Sequence, residues 1–155
     1  MYKMKRILAL VLVVSLLGLT GCIFESRQDE VLHSLGDYDR EQLWTHGGFQ
    51  DFTDFGIYTF SSVEIEQNDI FSPVTTDNIP VIHGFIDDFE SWIQTFREND
   101  PNIALVQNYA FDRNMIDSTD YFYIFEKDGY AKYGYYDVWF FDRQSSVLYY
   151  FHNNI

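Results

Sequence analysis

His83 and Asp87 stand four residues apart, close enough on a helix to share one face and a metal ion. A zinc site needs three or four ligands, and no third ligand stands at matching spacing, so a solvated pair is expected and a metal is not. Asp37, Asp39 and Glu41 alternate like the first ligands of a calcium-binding loop. The pattern fails at its sixth position, where Gln42 replaces the turn glycine, and at its twelfth, where Gly48 replaces a bidentate carboxylate. Asp87, Asp88 and Glu90 crowd one segment. Paired carboxylates do acid–base work when they converge across a cleft, whereas neighbours along a helix diverge.

His46-Gly47-Gly48 is similar to the glycine-rich oxyanion loop of some lipases and esterases. That chemistry also requires a serine in a G-x-S-x-G elbow, which the sequence lacks, so a turn is expected here. P-loop, dinucleotide-binding, Cys-x-x-Cys and H-E-x-x-H patterns are absent as well. No catalytic residue and no cofactor is expected.

The single cysteine, Cys22, follows a distinctive N-terminus. Lys3, Lys5 and Arg6 make a basic start, and Ile7 to Leu19 is a 13-residue apolar run broken only by Ser15 and Gly18. These are the two regions of a secretory signal. The run is shorter than the roughly 20 residues needed to cross a bilayer. It leads into Leu19-Thr20-Gly21-Cys22, which resembles the lipobox of bacterial lipoproteins: aliphatic, small, Gly or Ala, then Cys. The resemblance covers the first 22 residues. It implies diacylglycerol on the Cys22 thiol, cleavage after Gly21 and a membrane-anchored extracytoplasmic product. Residue 23 is Ile, so the Asp that often marks inner-membrane retention in Gram-negative lipoproteins is missing.

Removing the signal takes away three of ten Lys and Arg and none of the 24 Asp and Glu, which moves the net charge from −14 to −17. Such a surface is repelled by phosphate backbones, so no nucleic-acid partner is expected. Aromatic residues make up 19% of the chain, which argues for a packed core over disorder.

The expected organisation is a signal over 1–21, a short polar tether over 22–28 and one globular domain over 29–155. Apolar residues Ile79, Ile82, Phe85, Ile86, Phe89, Trp92, Ile93 and Phe96 recur at helical spacing, which predicts a long amphipathic helix from Asp77 to Arg97. Thr76 or Asp77 is its expected cap, with Pro80 tolerated in the first turn. Shorter helices are expected over Asp29–Leu35, stopped by Gly36, and over Tyr38–Trp44. Phe55–Val63, Ile103–Phe111, Asp120–Glu126, Tyr135–Phe141 and Val147–Phe151 read as strands, the last two forming a hairpin. Together these predict an α+β domain, one long helix packed on a curved antiparallel sheet. In element order alone the arrangement is similar to cystatin-like or NTF2-like rolls.

The C-terminal strands are apolar on both sides. Trp139 and Phe141 oppose Tyr136, Val138 and Phe140, and Leu148 and Tyr150 oppose Val147, Tyr149 and Phe151. One helix covers one face, so the N-terminal segment, a partner, a ligand or water must meet the other. Tyr133, Tyr135, Tyr136, Trp139 and Tyr149 are the candidate binding surface, because such side chains combine apolar area with a polar tip. The expected function is a lipid-anchored binding or interaction module for an envelope protein or carbohydrate. The alternatives are an accessory subunit of an envelope complex and an envelope hydrolase in which His46 or His83 meets a carboxylate.

Overall fold

The computed structural model describes residues 27–48, 51–129 and 132–154. Cys22 and the signal lie outside them. The elements in order are helix α1 (Gln28–Leu35), strands β1 (Arg40–Gly47), β2 (Phe52–Thr59) and β3 (Ser72–Pro73), helices α2 (Ile79–Asn99) and α3 (Ala104–Asn108), and strands β4 (Tyr121–Glu126), β5 (Tyr135–Asp142) and β6 (Val147–Asn154). The strands form one antiparallel, curled sheet in the order β1-β2-β6-β5-β4-β3. The long helix packs on one of its faces, so the domain is α+β as the sequence predicts.

Helix α2 presents Ile82, Phe85, Ile86, Phe89 and Ile93 to the sheet, all buried. They meet Phe55, Tyr136, Val138, Phe140 and Phe151 in the first core. Full burial of each such side chain contributes roughly 1.5–3 kcal/mol. Pro80 occupies the first turn, and Asp100 ends the helix by donating its N–H to the Phe96 carbonyl at 2.8 Å. Neither Thr76 nor Asp77 caps the start. Asn78 takes the cap position, and its side chain accepts from the Thr75 N–H at 2.8 Å instead of bonding into the helix.

The opposite sheet face carries a second core. Tyr58, Trp139, Phe141, Leu148 and Tyr150 pack there against Val31, Leu32 and Leu35 of α1 and against Phe60, Ile65 and Phe71 of the connection to β3. The N-terminal segment therefore covers much of the face that the two-sided strands left open.

Two expected elements differ. Tyr38–Trp44 is not helical, because β1 runs from Arg40 to Gly47 with alternating burial. Trp44 stacks on Phe55 at 5.9 Å and the His46 ring meets Phe96 at 4.6 Å, contacts that only an extended chain beside β2 can make. Ile103–Phe111 is not a strand, because Leu105, Val106 and Tyr109 follow helical spacing and α3 forms at Ala104–Asn108. Phe55–Val63 is shifted, the strand running over Phe52–Thr59.

Gly47 takes φ +132°, and a Cβ there would approach the Asp51 carbonyl oxygen to 2.2 Å. His46-Gly47-Gly48 is thus the end of a strand, beyond which the Gly48 N–H donates to the Asp51 carbonyl at 2.9 Å. Gly36 also has positive φ, +92°, but with open space around it. A Gly47→Ala variant should lose roughly 3 kcal/mol, at the upper end for a strained backbone, and Gly36→Ala about 1. Urea denaturation of both variants checks the order, and equal midpoints would show that the close approach is not there.

Candidate functional site

Antiparallel register places one row of side chains across the second sheet face. Thr45 pairs with Asp54, Asp54 with His152, His152 with Asp137, and Asp137 with Phe125. Three ionisable groups thus stand side by side on β2, β6 and β5, and all are buried: Asp54 is 7% exposed, His152 1% and Asp137 0%.

His152 Nδ1 lies 2.7 Å from Asp137 Oδ1, and the Tyr150 hydroxyl donates to the same oxygen at 2.8 Å. With Asp137 as acceptor, the imidazole carries its proton on Nδ1 and leaves Nε2 as the free nitrogen. Nε2, Asp137 Oδ2 and Asp54 Oδ1 are buried and have no hydrogen-bond partner among the described residues. The His152 ring lies 4.6 Å from Phe52 and 5.4 Å edge-on to Tyr135. Chemically this is a carboxylate-fixed imidazole, able to hold or pass a proton. Base catalysis on a substrate would require that substrate within hydrogen-bond reach of Nε2, and aromatic rings enclose it.

Burial raises the Asp54 carboxyl above the ordinary range; the Thr45 hydroxyl and His152 act against that shift, while Asp137 adds to it. Burial also raises Asp88 and Asp120, the former opposed by the Tyr136 hydroxyl and the latter by two backbone N–H groups. A carboxyl raised in the fold contributes stability that is full below its unfolded pKa and is lost as pH climbs through its folded value. Exposed Asp117 shifts the other way, lowered by Thr119, and its contribution is lost as pH falls. Two buried carboxyls and one half-buried one outweigh one exposed one. Stability should therefore increase as pH drops from neutrality into the upper carboxylate range, read as a rise in the urea midpoint. A midpoint that falls steadily over that interval would contradict it.

The aromatic residues expected to form a binding surface do not share one. Tyr135, Tyr136 and Trp139 are 3%, 0% and 0% exposed, and this corrects their assignment to a surface. Trp139 stacks on Tyr150 at 3.9 Å under the second core, and Tyr136 donates to Asp88 at 3.0 Å on the helix side. The strands are apolar on both sides because each face has its own cover. Tyr133 and Tyr149 are half-buried; Tyr133 packs edge-on against Phe85 at 4.9 Å, and Tyr149 against Phe111 at 5.0 Å.

Asp87 does not join His83. It binds Arg113 at 2.5 Å, Glu90 binds the same guanidinium, and the Tyr109 hydroxyl donates to Glu90 at 3.0 Å. This carboxylate crowd fastens the segment after α3 to α2. His83 Nε2 is buried without a partner among the described residues. Asp39 accepts from Ser61 at 2.6 Å and Glu41 from Tyr38 at 3.2 Å. Among the described residues no group of three or more His, Cys, Asp or Glu could hold a metal ion.

The outer surface offers a shallow groove at the end of α1, lined by Asp29, Leu32, His33, Gly36, Asp37 and Tyr38. Tyr38, in this lining, and Leu43, on β1, are large apolar side chains that face solvent, exposed by 40% and 39%.

No family model matches the chain, and neither a curated protein nor a solved structure is significantly similar to it.

Proposed function

We propose that this chain is an extracytoplasmic lipoprotein, held on a membrane by diacylglycerol on Cys22, whose α+β domain is a binding module for an envelope protein or carbohydrate. The observation that carries the reading is the order of the N-terminal residues: a basic start, a 13-residue apolar run, and Leu19-Thr20-Gly21-Cys22. Two facts support it. The chain's one cysteine stands at the box, and the first element among the described residues starts at Gln28, six positions further on. No helix among the described residues is long and apolar enough to cross a membrane, so the lipid is what this reading offers as the anchor.

The binding surface moves to the α1 groove. Its Asp29 and Asp37 favour a partner with cationic or hydroxyl-rich chemistry, and Tyr38 offers a ring for stacking. The hydrolase alternative draws on the His152–Asp137 pair, but that pair is enclosed and no nucleophile stands against its free nitrogen among the described residues. Cells grown with labelled fatty acid should incorporate label into the wild-type protein and none into Cys22→Ala. An unlabelled wild-type protein would end the proposal.

A further inference from the structure

The sheet ends on two unlike strands. On one side β3 is two residues long and holds Pro73, which has no N–H to offer. Residues 123–126 of β4 run on past it, with Arg27 over the rings of Tyr123 and Phe125 at 5.7 and 5.5 Å. On the other side β1 is eight residues long and pairs with β2 in unbroken register from Arg40 to Gly47. Proline, lysine and bulges are the ordinary devices that keep an edge from accepting another strand, and β1 has none of them. Its two charges, Arg40 and Glu41, stand together at one end.

Hydrogen-bond parity shows which backbone groups this edge offers. The Gly48 N–H donates to Asp51, one step past the Gly47–Phe52 pair, so the even-numbered residues of β1 turn their backbone groups to β2. The Phe60 N–H donates to Ser146, which gives even residues of β2 to β6 and leaves its odd ones for β1, the same parity. The N–H and C=O groups of Glu41, Leu43 and Thr45 therefore point outward, where no hydrogen bond meets them among the described residues. The side chains of these three lie on the second sheet face, opposite Tyr58, Gly56 and Asp54, and all three are exposed. Tyr38 donates to Glu41 at 3.2 Å, which joins the α1 groove to the rim of the strand. Helix α3 lies on the other side of β1, where Leu105 and Trp44 share the first core.

We propose that the free edge of β1 takes an extended, lysine- or arginine-bearing segment of another protein as a seventh strand of the sheet. The inference deepens the binding-module reading and rests on it. Backbone bonds to Glu41, Leu43 and Thr45 supply affinity, and side chains at alternate positions of the guest supply selectivity. An apolar guest residue suits Leu43, and a basic one on either side of it suits Glu41 and Thr45. The second of these faces the Asp54 carboxylate across Thr45, and Asp54 Oδ1 is buried with no partner among the described residues. Charge sets the sign of the guest. From Arg27 to Asp54 the chain holds seven Asp and Glu against two Arg, and Arg27 is already paired with Glu30. That excess runs through the whole mature chain, so it repels a second copy while the open edge selects the place.

The test uses the full processed chain in neutral detergent and a short synthetic peptide blocked at both ends. In the peptide a central valine is followed on each side by a threonine, a lysine and a threonine, so it reads alike in both directions. Amide exchange of Glu41, Leu43 and Thr45 should slow by about tenfold or more with peptide, while Gln42 and Trp44, already bonded to β2, change little. Leu43→Pro removes only an outward N–H, so it should keep the fold and bind the peptide about tenfold more weakly, the worth of one hydrogen bond. A peptide with glutamate for both lysines should not bind. Unchanged exchange at the three amides with peptide bound elsewhere, or no binding at millimolar peptide, would overturn the edge proposal. Fatty-acid labelling of Cys22 in the same preparation judges the lipoprotein reading separately. Protection that needs no peptide and grows with protein concentration would put a second copy on the edge and overturn the choice of partner.

Discussion

Replacing Asp137 by Ala should cost about 3–5 kcal/mol of stability, the loss expected when one partner of a buried ionisable pair is removed. A domain of this size holds a total of about 5–15 kcal/mol, so Asp137→Ala should leave a substantial unfolded population at ordinary temperatures. The reason is specific to the row on the second sheet face. Asp137 Oδ1 is the acceptor for both His152 and Tyr150, and Asp137 and His152 are at most 1% exposed, so no water takes its place. Asp137→Asn keeps an oxygen of the same shape and should lose less than half as much. Trp139 stacks on Tyr150 beside the row, so its fluorescence reports the transition directly. If Asp137→Ala unfolded at the wild-type urea concentration, the row would not be paired as described.

Cys22 carries the other large effect, on location. Two or more acyl chains hold a protein on a bilayer stably, each buried CH₂ adding about 0.8 kcal/mol, whereas one chain binds reversibly. Cys22→Ser removes the thiol that would take the lipid. The variant should carry no fatty acid and should retain residues 1–21, because the lipoprotein pathway acts on the modified cysteine. A chain in which an ordinary cleavable secretory signal replaces residues 1–22 should leave the membrane fraction for the soluble one. If it stayed in the pellet through a high-salt wash, something other than a lipid on Cys22 would be holding it.

The long helix is legible in the sequence because its eight apolar residues recur at 3.6-residue spacing over about five turns, and the structure moves its ends by only two residues. The C-terminal hairpin is legible because Arg143 to Ser146 separates two β-branched and aromatic runs. Strand β1 is not, since REQLWTHG contains good helix formers and its extended state comes from pairing with β2. The aromatic residues of β5 were legible as apolar on both sides, but which face stays open depends on where α1 docks, and that contact spans more than a hundred residues of chain.

The His152–Asp137 pair carried a local signal. In a hairpin that pairs Asp142 with Val147, stepping back five residues on one strand and forward five on the other sets Asp137 opposite His152. Asp54 completes the row through the non-local pairing of β2 with β6, which no spacing in the sequence announces. His83 and Asp87, by contrast, are close in sequence yet unpaired, because Arg113 from a later segment takes the carboxylate.

The mass of the protein extracted from its native membrane tests the lipid anchor most directly. The account predicts a chain that starts at Cys22 and is heavier than residues 22–155 by a thioether-linked diacylglycerol, with or without an acyl group on the new amino terminus. A free Cys22 thiol, or a chain still carrying Met1 to Gly21, would contradict it.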